Sequence, residues 1–244
     1  MITIVTSTLN AESSLELLVS SLRAQNDANF LWIVADGGSV DRTLDVLKNC
    51  KDVVTDVLEG PDHGIYHGLN RAIARVQTPY YLVLGADDIL DPDAILNFNK
   101  AASTSNADFI SARVRTSDGD ELRPLRGSVF RYGHLAYISQ HSVGTLIKTS
   151  LHKELGLYSK HYPIAADRHF VLNAIKNCEA VVEKLDCLVG TYSTGGTSNN
   201  RYYDTILDIF KVDYDLSDQP FSTAVKSLIR YALNLANMTS KKRP

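Results

Sequence analysis

The sequence predicts an α/β fold: a mixed, mostly parallel sheet flanked by helices, with a C-terminal helical tail. Three observations carry that prediction. Short β-rich runs alternate with stretches of helical periodicity as far as Pro92, which calls for parallel crossovers. Phe30–Ala35 is apolar at every position, as expected of a strand covered on both faces. Polar turns follow the strands at Ser7–Asn10, Asp36–Ser39, Glu59–Gly64 and Gly85–Asp88. In such a sheet those turns share one edge, where ligands bind.

Ile2–Thr6 is the first strand. Leu15, Leu17, Leu18 and Leu22 follow at helical spacing, with Ser13 or Ser14 placed to cap the helix. Phe30–Ala35 is the second strand, and past Asp36-Gly37-Gly38-Ser39 a helix begins near Asp41 and turns Leu44 and Leu47 inward. A third strand over Val53–Leu58, a helix over Ile65–Val76 and a fourth strand over Tyr80–Leu84 complete the regular half. Pro92 stands near the start of the next helix, where its missing N–H is harmless. The second half is less regular. Asp108–Thr116, Leu122–Arg131 and Gly144–Lys148 read as strands, Leu151–Leu155 and Ala165–Asn177 as helices, and Ala180–Leu185 and Leu188–Tyr192 as extended. With no repeat and no linker, one domain is expected over residues 1–200, its halves meeting near residue 95. Residues 201–244 form the helical extension, where Ala224, Val225, Leu228, Leu235 and Ala236 make a stripe.

The chain has 244 residues, 44% hydrophobic and 22% charged, an ordinary globular composition. A net charge of −3 argues against a broadly basic nucleic-acid binder. Cys50, Cys178 and Cys187 are odd in number and match no zinc or redox spacing, which fits free thiols in a reducing compartment. No apolar run reaches the roughly 20 residues of a membrane span. The first residues show no signal-peptide pattern. A cytoplasmic enzyme is the expectation.

Asp87 and Asp88 close the fourth strand. Adjacent carboxylates there suit a hard divalent cation bridging to phosphate oxygens, or else a solvated turn that caps the next helix. Asp36 precedes Gly37-Gly38, where glycine lets the backbone turn sharply or approach a ligand. An ordinary strand-to-helix turn capped by Ser39 fits these residues equally.

Taken together, Thr3–Asn10, Ile33–Thr43, Glu59–Tyr66 with Asn70, and Leu84–Pro92 resemble the successive signatures of family 2 glycosyltransferases, which have the GT-A fold. Gln140-His141-Ser142-Val143, Leu155–Tyr158 and Ile164–Phe170 resemble the acceptor half of that family, and Gly195-Gly196-Thr197-Ser198 its late glycine loop. The resemblance spans about 200 residues. It implies a GT-A type, Rossmann-like domain that transfers a sugar, with inversion, from a nucleotide-diphosphate sugar. A UDP-sugar is the commonest donor. The acceptor is a hydroxyl of a glycan or lipid-linked molecule, Mn²⁺ or Mg²⁺ assists, and the setting is bacterial polysaccharide biosynthesis. Carried over by position, Ser7, Thr8 and Asn10 lie beside base and ribose, Asp36 contacts the nucleobase, and Asp62 lies on the nucleotide side. Asp88 is the direct metal ligand, Asp87 leans toward the ribose or the metal, and Asp167 is the catalytic base. His141, Gly195, Gly196 and Thr197 belong to an acceptor or diphosphate loop.

These residue types suit the chemistry. The acceptor hydroxyl loses its proton as it attacks, so a carboxylate is needed on the acceptor side, worth about 10²–10⁴-fold. The diphosphate leaves with growing negative charge, so positive charge is needed opposite. Asp167 also fits a helix N-terminal carboxylate favoured by the dipole, and the two roles are compatible.

The chain departs from the family pattern at Arg42, where glycine is common, at His67, where an acid is common, and at Gln140-His141, whose order is reversed. His63 and His67 have zinc-compatible spacing without a third ligand nearby. Residues 221–244 carry Lys226, Arg230, Lys241, Lys242 and Arg243 and no acid. A basic helix of this kind suits peripheral contact with an anionic membrane's inner face. The alternative is packing on the domain or on a second subunit, as a homodimer. Two rival functions are a nucleotidyltransferase, disfavoured because Ser7–Asn10 has neither glycine nor a basic residue, and a non-catalytic sugar-nucleotide binding module. A dinucleotide dehydrogenase is disfavoured because no Gly-x-Gly-x-x-Gly follows the first strand.

Overall fold

The computed structural model describes residues 1–122, 133–139, 141–193 and 201–226. The first half alternates as expected: β1 (Ile2–Thr8), α1 (Glu12–Arg23), β2 (Phe30–Asp36), α2 (Thr43–Lys48), β3 (Asp56–Glu59), α3 (Ile65–Ile73) and β4 (Tyr80–Val83). Next come β5 (Ile89–Leu90), α4 (Ala94–Thr104), β6 (Phe109–Thr116) and β7 (Glu121–Leu122). The last elements are β8 (Thr145–Lys148), α5 (Leu151–Leu155), α6 (Ala166–Asn177), β9 (Val182–Tyr192) and α7 (Tyr202–Asp215). Among the described residues the strands form one nine-stranded sheet, ordered β3-β2-β1-β4-β8-β6-β9-β5, with β7 on β6. β3, β2, β1 and β4 run parallel, so their C-terminal turns share an edge. β8 enters antiparallel to both β4 and β6.

Successive residues of a strand point to opposite faces, and both faces of β2 are buried. Trp32 and Val34 meet α1, α2 and α4 through Leu15, Leu18, Leu22, Leu47 and Phe98. Ile33 and Ala35 face the opposite layer, with Leu69 of α3, Phe170 of α6 and Val212 of α7. An unbroken apolar run is the consequence. Trp32 is fully buried and satisfies its indole by donating to Thr6 Oγ1 at 3.0 Å.

Several local expectations are corrected. Ser13 and Ser14 lie inside α1 and do not cap it. The amides of Ala11 and Glu12 donate instead to Thr43 Oγ1 at the start of α2 and to Asp41 Oδ2 in the turn before it. Leu17 is 57% exposed, because the buried face runs through Leu15, Leu18, Val19 and Leu22. β3 begins at Asp56, after a turn over 51–53. α3 stops at Ile73, where Arg75 and Val76 donate to carbonyls only three residues back and tighten the chain. Pro92 stands near the start of α4 as expected, directly before the cap position Asp93. Gly144 closes a short 3₁₀ turn before β8. The two extended runs at 180–192 are one strand whose pairing with β6 shifts register near Arg113. Of the expected strand Leu122–Arg131, only Leu122 is among the described residues.

The chain is helical again over 220–226. Leu228, Arg230, Leu235, Ala236, Lys241, Lys242 and Arg243 lie outside the described residues. α7 is not a detached appendage, since Val212 is fully buried in the core. The three cysteines are free thiols. No helix among the described residues is long and apolar enough to cross a membrane.

Candidate active site

The turns after β1 and β2 lock onto one another. Thr8 pairs with Asp36 in the sheet register, and both are buried. Asp36 Oδ2 accepts from Thr8 Oγ1 at 3.1 Å and from Ser39 Oγ at 2.6 Å, while Oδ1 takes the Gly38 and Ser39 amides at 3.0 and 2.8 Å. The carboxylate is committed to its own turn. It shapes the wall of the site where the sequence reading places the nucleobase contact. Asn10 adopts the left-handed conformation (φ 51°), its amide donating to Ser39 Oγ and its Oδ1 accepting the Val40 amide. The first two predicted motifs therefore form one rigid double turn.

Ser7 and Asp62 converge on α3. A Cβ at Gly68 would overlap Ser7 Oγ and stand 2.5 Å from Asp62 Oδ2. A Cβ at Gly37 would lie 3.0 Å from the same Asp62 oxygen. Two glycines thus make room for these polar groups. Asp62 Oδ1 accepts from Arg71 Nη1 at 2.9 Å and lies 3.2 Å from His67 Nδ1. Arg71 also donates to the carbonyls of Asp36, Leu58, Glu59 and Gly60, so one guanidinium organises the turn after β3. The rings of His63 and His67 lie 5.1 Å apart, with His67 turned toward Asp62.

Asp87 and Asp88 both lean over Gly85, whose Cβ would lie 3.0 Å from Asp87 Oδ1 and 3.2 Å from Asp88 Oδ2. Asp88 is 1% exposed and accepts the Gly85 amide at 2.7 Å. Burial, with Asp87 adding to it, pushes its carboxyl up to about 7. His141 Nδ1 lies 3.9 Å from Asp88 Oδ2, but burial drives this imidazole down to about 4, so the contact is not an ion pair. β5 pairs with β9 directly after Asp88, and Tyr192 at the end of β9 stacks on His141 at 4.2 Å. An acidic pair with Asp88 buried, no cationic side chain against it among the described residues and a neutral imidazole beside it fits a hard divalent cation.

Asp167 stands in the first turn of α6, exposed. Its Oδ1 accepts from Tyr66 Oη at 2.8 Å and from the Arg168 amide at 2.7 Å. Tyr66 reaches across from α3, and burial followed by the charge of Asp167 raises its phenol well above the ordinary range, so it stays a donor. The carboxylates of Asp87 and Asp167 both pull on His141 against its burial. Asp87, Asp88 and Asp167 thus all lie within electrostatic reach of one imidazole. Gly195, Gly196, Thr197 and Ser198 lie outside the described residues, as does Gln140.

Three contributors escaped sequence reasoning: Tyr66 as a partner of Asp167, Arg71 as a clamp, and Tyr192 as the platform for His141. Tyr66 lay within a noted motif, and its distance from Asp167 hid the contact. α3 is the joint of the site. It sends Tyr66 to Asp167, gives Gly68 to Ser7 and Asp62, and ties Asn70 to the backbone of Tyr158 in both directions.

A family model described as glycosyl transferase family 2 matches residues 3–161. Among curated proteins, the chain is 27% identical over 219 residues to a PGL/p-HBAD biosynthesis glycosyltransferase of Mycobacterium bovis, covering 84% of this chain and 81% of the relative. Its fold is similar to that of S. aureus TarS 1-349 in complex with UDP-GlcNAc, with TM-score 0.72 and 17% identity over 94% of this chain and 72% of that one. It is also similar to the mannosyltransferase PcManGT from Pyrobaculum calidifontis in complex with GDP-Man and Mn²⁺. There the TM-score is 0.67 and the identity 14%, over 96% of this chain and 75% of that one.

Proposed function

This chain belongs to glycosyl transferase family 2, and we propose that it is an inverting, metal-assisted transferase acting on a nucleotide-diphosphate sugar, with Asp167 as its base. The observation that carries the reading is a pair of acidic centres within electrostatic reach of His141. One is buried and has no cationic side chain against it among the described residues, and the other is exposed and fixed by Tyr66. Asp167 Oδ2 takes no hydrogen bond from the described residues, which leaves it to accept the proton of an incoming hydroxyl. Tyr66 orients the carboxylate through the other oxygen. Ser7, Asp62 and the double turn around Asp36 line the donor end. Asp88, with Asp87, would hold Mn²⁺ or Mg²⁺, which supplies positive charge to the departing diphosphate.

The donor and metal in related structures, UDP-GlcNAc in one and GDP-Man with Mn²⁺ in another, support a nucleotide-diphosphate sugar and leave the base open. UDP is the first choice to test. Glycan or lipid-linked hydroxyls are the acceptor class we favour, in polysaccharide biosynthesis. The setting would be cytoplasmic, with contact at the membrane's inner face where a lipid-linked acceptor is met.

A thermal-shift screen of nucleoside diphosphates with and without Mn²⁺ identifies the base. Release of that diphosphate from the matching sugar donors then reports turnover. Asp167→Asn is expected to keep Mn²⁺-dependent diphosphate binding and lose turnover by at least about 10²-fold. Normal turnover in that variant would remove the base assignment.

A further inference from the structure

We propose that the C-terminal helix α7 is a positioning element of the transfer site, gripping the segment on both sides of Asp167 through Asp208, Asp213 and Asp215. This rests on Asp167 being the base. All of these residues follow the stretch matched by the family model, which ends at residue 161.

α6 starts without a side-chain cap of its own at Ala165. Asp208 instead holds the two residues that lead into the helix, from 44 and 43 residues away: its Oδ2 takes the amides of Ile164 at 2.8 Å and Ala165 at 3.3 Å. Asp208 is 3% exposed, and Lys211 stands 3.5 Å from its other oxygen. A buried carboxylate so placed fixes where the helix begins, and hence where Asp167 stands in its first turn. On the other side of Asp167, Arg168 is buried and donates through Nε and Nη2 to Asp213 Oδ1. The remaining face of that guanidinium lies against His134 Nδ1 at 3.0 Å, an imidazole kept neutral by burial and then by Arg168. Ahead of Asp167, Tyr162 donates to Asp215 Oδ2 at 2.6 Å. Val212, fully buried between these acids, anchors the helix in the core.

Tyr66 completes the arrangement. Its single hydroxyl proton has two acceptors in reach, Asp167 Oδ1 at 2.8 Å and Ile164 O at 3.0 Å. The residue whose amide Asp208 holds is thus also the alternative partner of the hydroxyl that orients the base. Displacing a reacting group by about 1 Å can lower a rate by about 10²-fold, so losing the grip should show in turnover and not in nucleotide binding.

The experiment compares Asp208→Ala, Asp208→Asn and Tyr162→Phe with the parent. It measures UDP affinity with Mn²⁺ by calorimetry, and kcat and KM for UDP release from the donor chosen by screening. Asp208→Ala is expected to lower kcat by about tenfold or more, with UDP affinity and donor KM within about twofold. Asp208→Asn, which retains an acceptor oxygen, is expected to recover most of the loss. Tyr162→Phe loosens only the outer tie, so it folds even if Asp208→Ala does not; the same split at smaller size is expected. Unchanged kcat in Asp208→Ala and Tyr162→Phe, beside a crippled Asp167→Asn, would overturn the positioning role alone. Loss of kcat and UDP affinity in proportion would overturn it as well, by showing a general structural role. Full turnover in Asp167→Asn would overturn the base assignment and this proposal together.

Discussion

The donor half and the acceptor half hold their acids in different ways. On the donor side the grips come from the carboxylate's own turn or the neighbouring strand: Asp36 is held by Gly38, Ser39 and, across the sheet, Thr8, and Asp88 by Gly85. On the acceptor side they are remote: Asp167 is held by Tyr66 from 101 residues away, and its neighbours Ile164 and Arg168 by α7 from 44 and 45 residues away. The tasks differ accordingly. A site for a diphosphate and its cation can be built from turns at the ends of adjacent parallel strands, where one short motif fixes the geometry. A base must be aimed at an atom that arrives from outside, and its aim is set by packing between layers of the fold.

The contrast can be broken where the donor side depends on its tightest close approach. Gly68 lies within α3, where alanine would ordinarily gain about 1 kcal/mol. The Cβ it lacks would strike Ser7 Oγ and Asp62 Oδ2, and overpacking typically costs about 1–3 kcal/mol. Gly68→Ala is therefore expected to weaken UDP binding by about tenfold, with stability unchanged or lower by up to about 2 kcal/mol. Calorimetry and thermal melts measure both. A stabilised variant with parental affinity would mean that Ser7 and Asp62 do not form the donor pocket.

A smaller effect sharpens the other donor-side feature. The folded carboxyl of Asp88 is raised from its ordinary 3.8 to about 7, chiefly by burial. Within that window the folded state binds the proton more tightly than the unfolded chain. Asp88 therefore favours folding at low pH, and that contribution is lost as pH rises through about 7. A bound cation relieves the buried charge. Mn²⁺ with UDP should therefore raise the melting temperature more at about pH 8 than at about pH 5.5. Each kcal/mol of relief is worth about 2–4 °C for a chain of this size. Asp88→Asn should flatten this difference. A Mn²⁺ shift that ignores both pH and the Asp88 substitution would place the cation elsewhere.

Much of the donor half was legible because its signals are periodic and local. The apolar run at Phe30–Ala35, the polar turns and the acidic pair each follow from a few adjacent residues. Even there, the start of α1 was misread, because Thr43 and Asp41 cap it from another turn. The commitment of Asp36 to its own loop was also hidden, since a motif names a carboxylate without saying what already fills it. In the acceptor half, β9 looked like two strands because its register slips against β6. The sequence singles out Asp167 as the proposed base within Ala165-Ala166-Asp167-Arg168-His169-Phe170, but its supports were not legible. No spacing rule connects Tyr66, Ile164 and Asp208; the fold alone brings them together.

The central claim is spatial: a cation at Asp88 and the carboxylate of Asp167 serve one cleft. Anomalous scattering from crystals grown with Mn²⁺ and UDP tests it most directly. The expected result is a manganese peak against the Asp88 carboxylate, in contact with the UDP phosphates, with the sugar end of the donor site open toward Asp167. A peak at His63 and His67 instead, or UDP bound with its phosphates turned away from Asp167, would contradict the account.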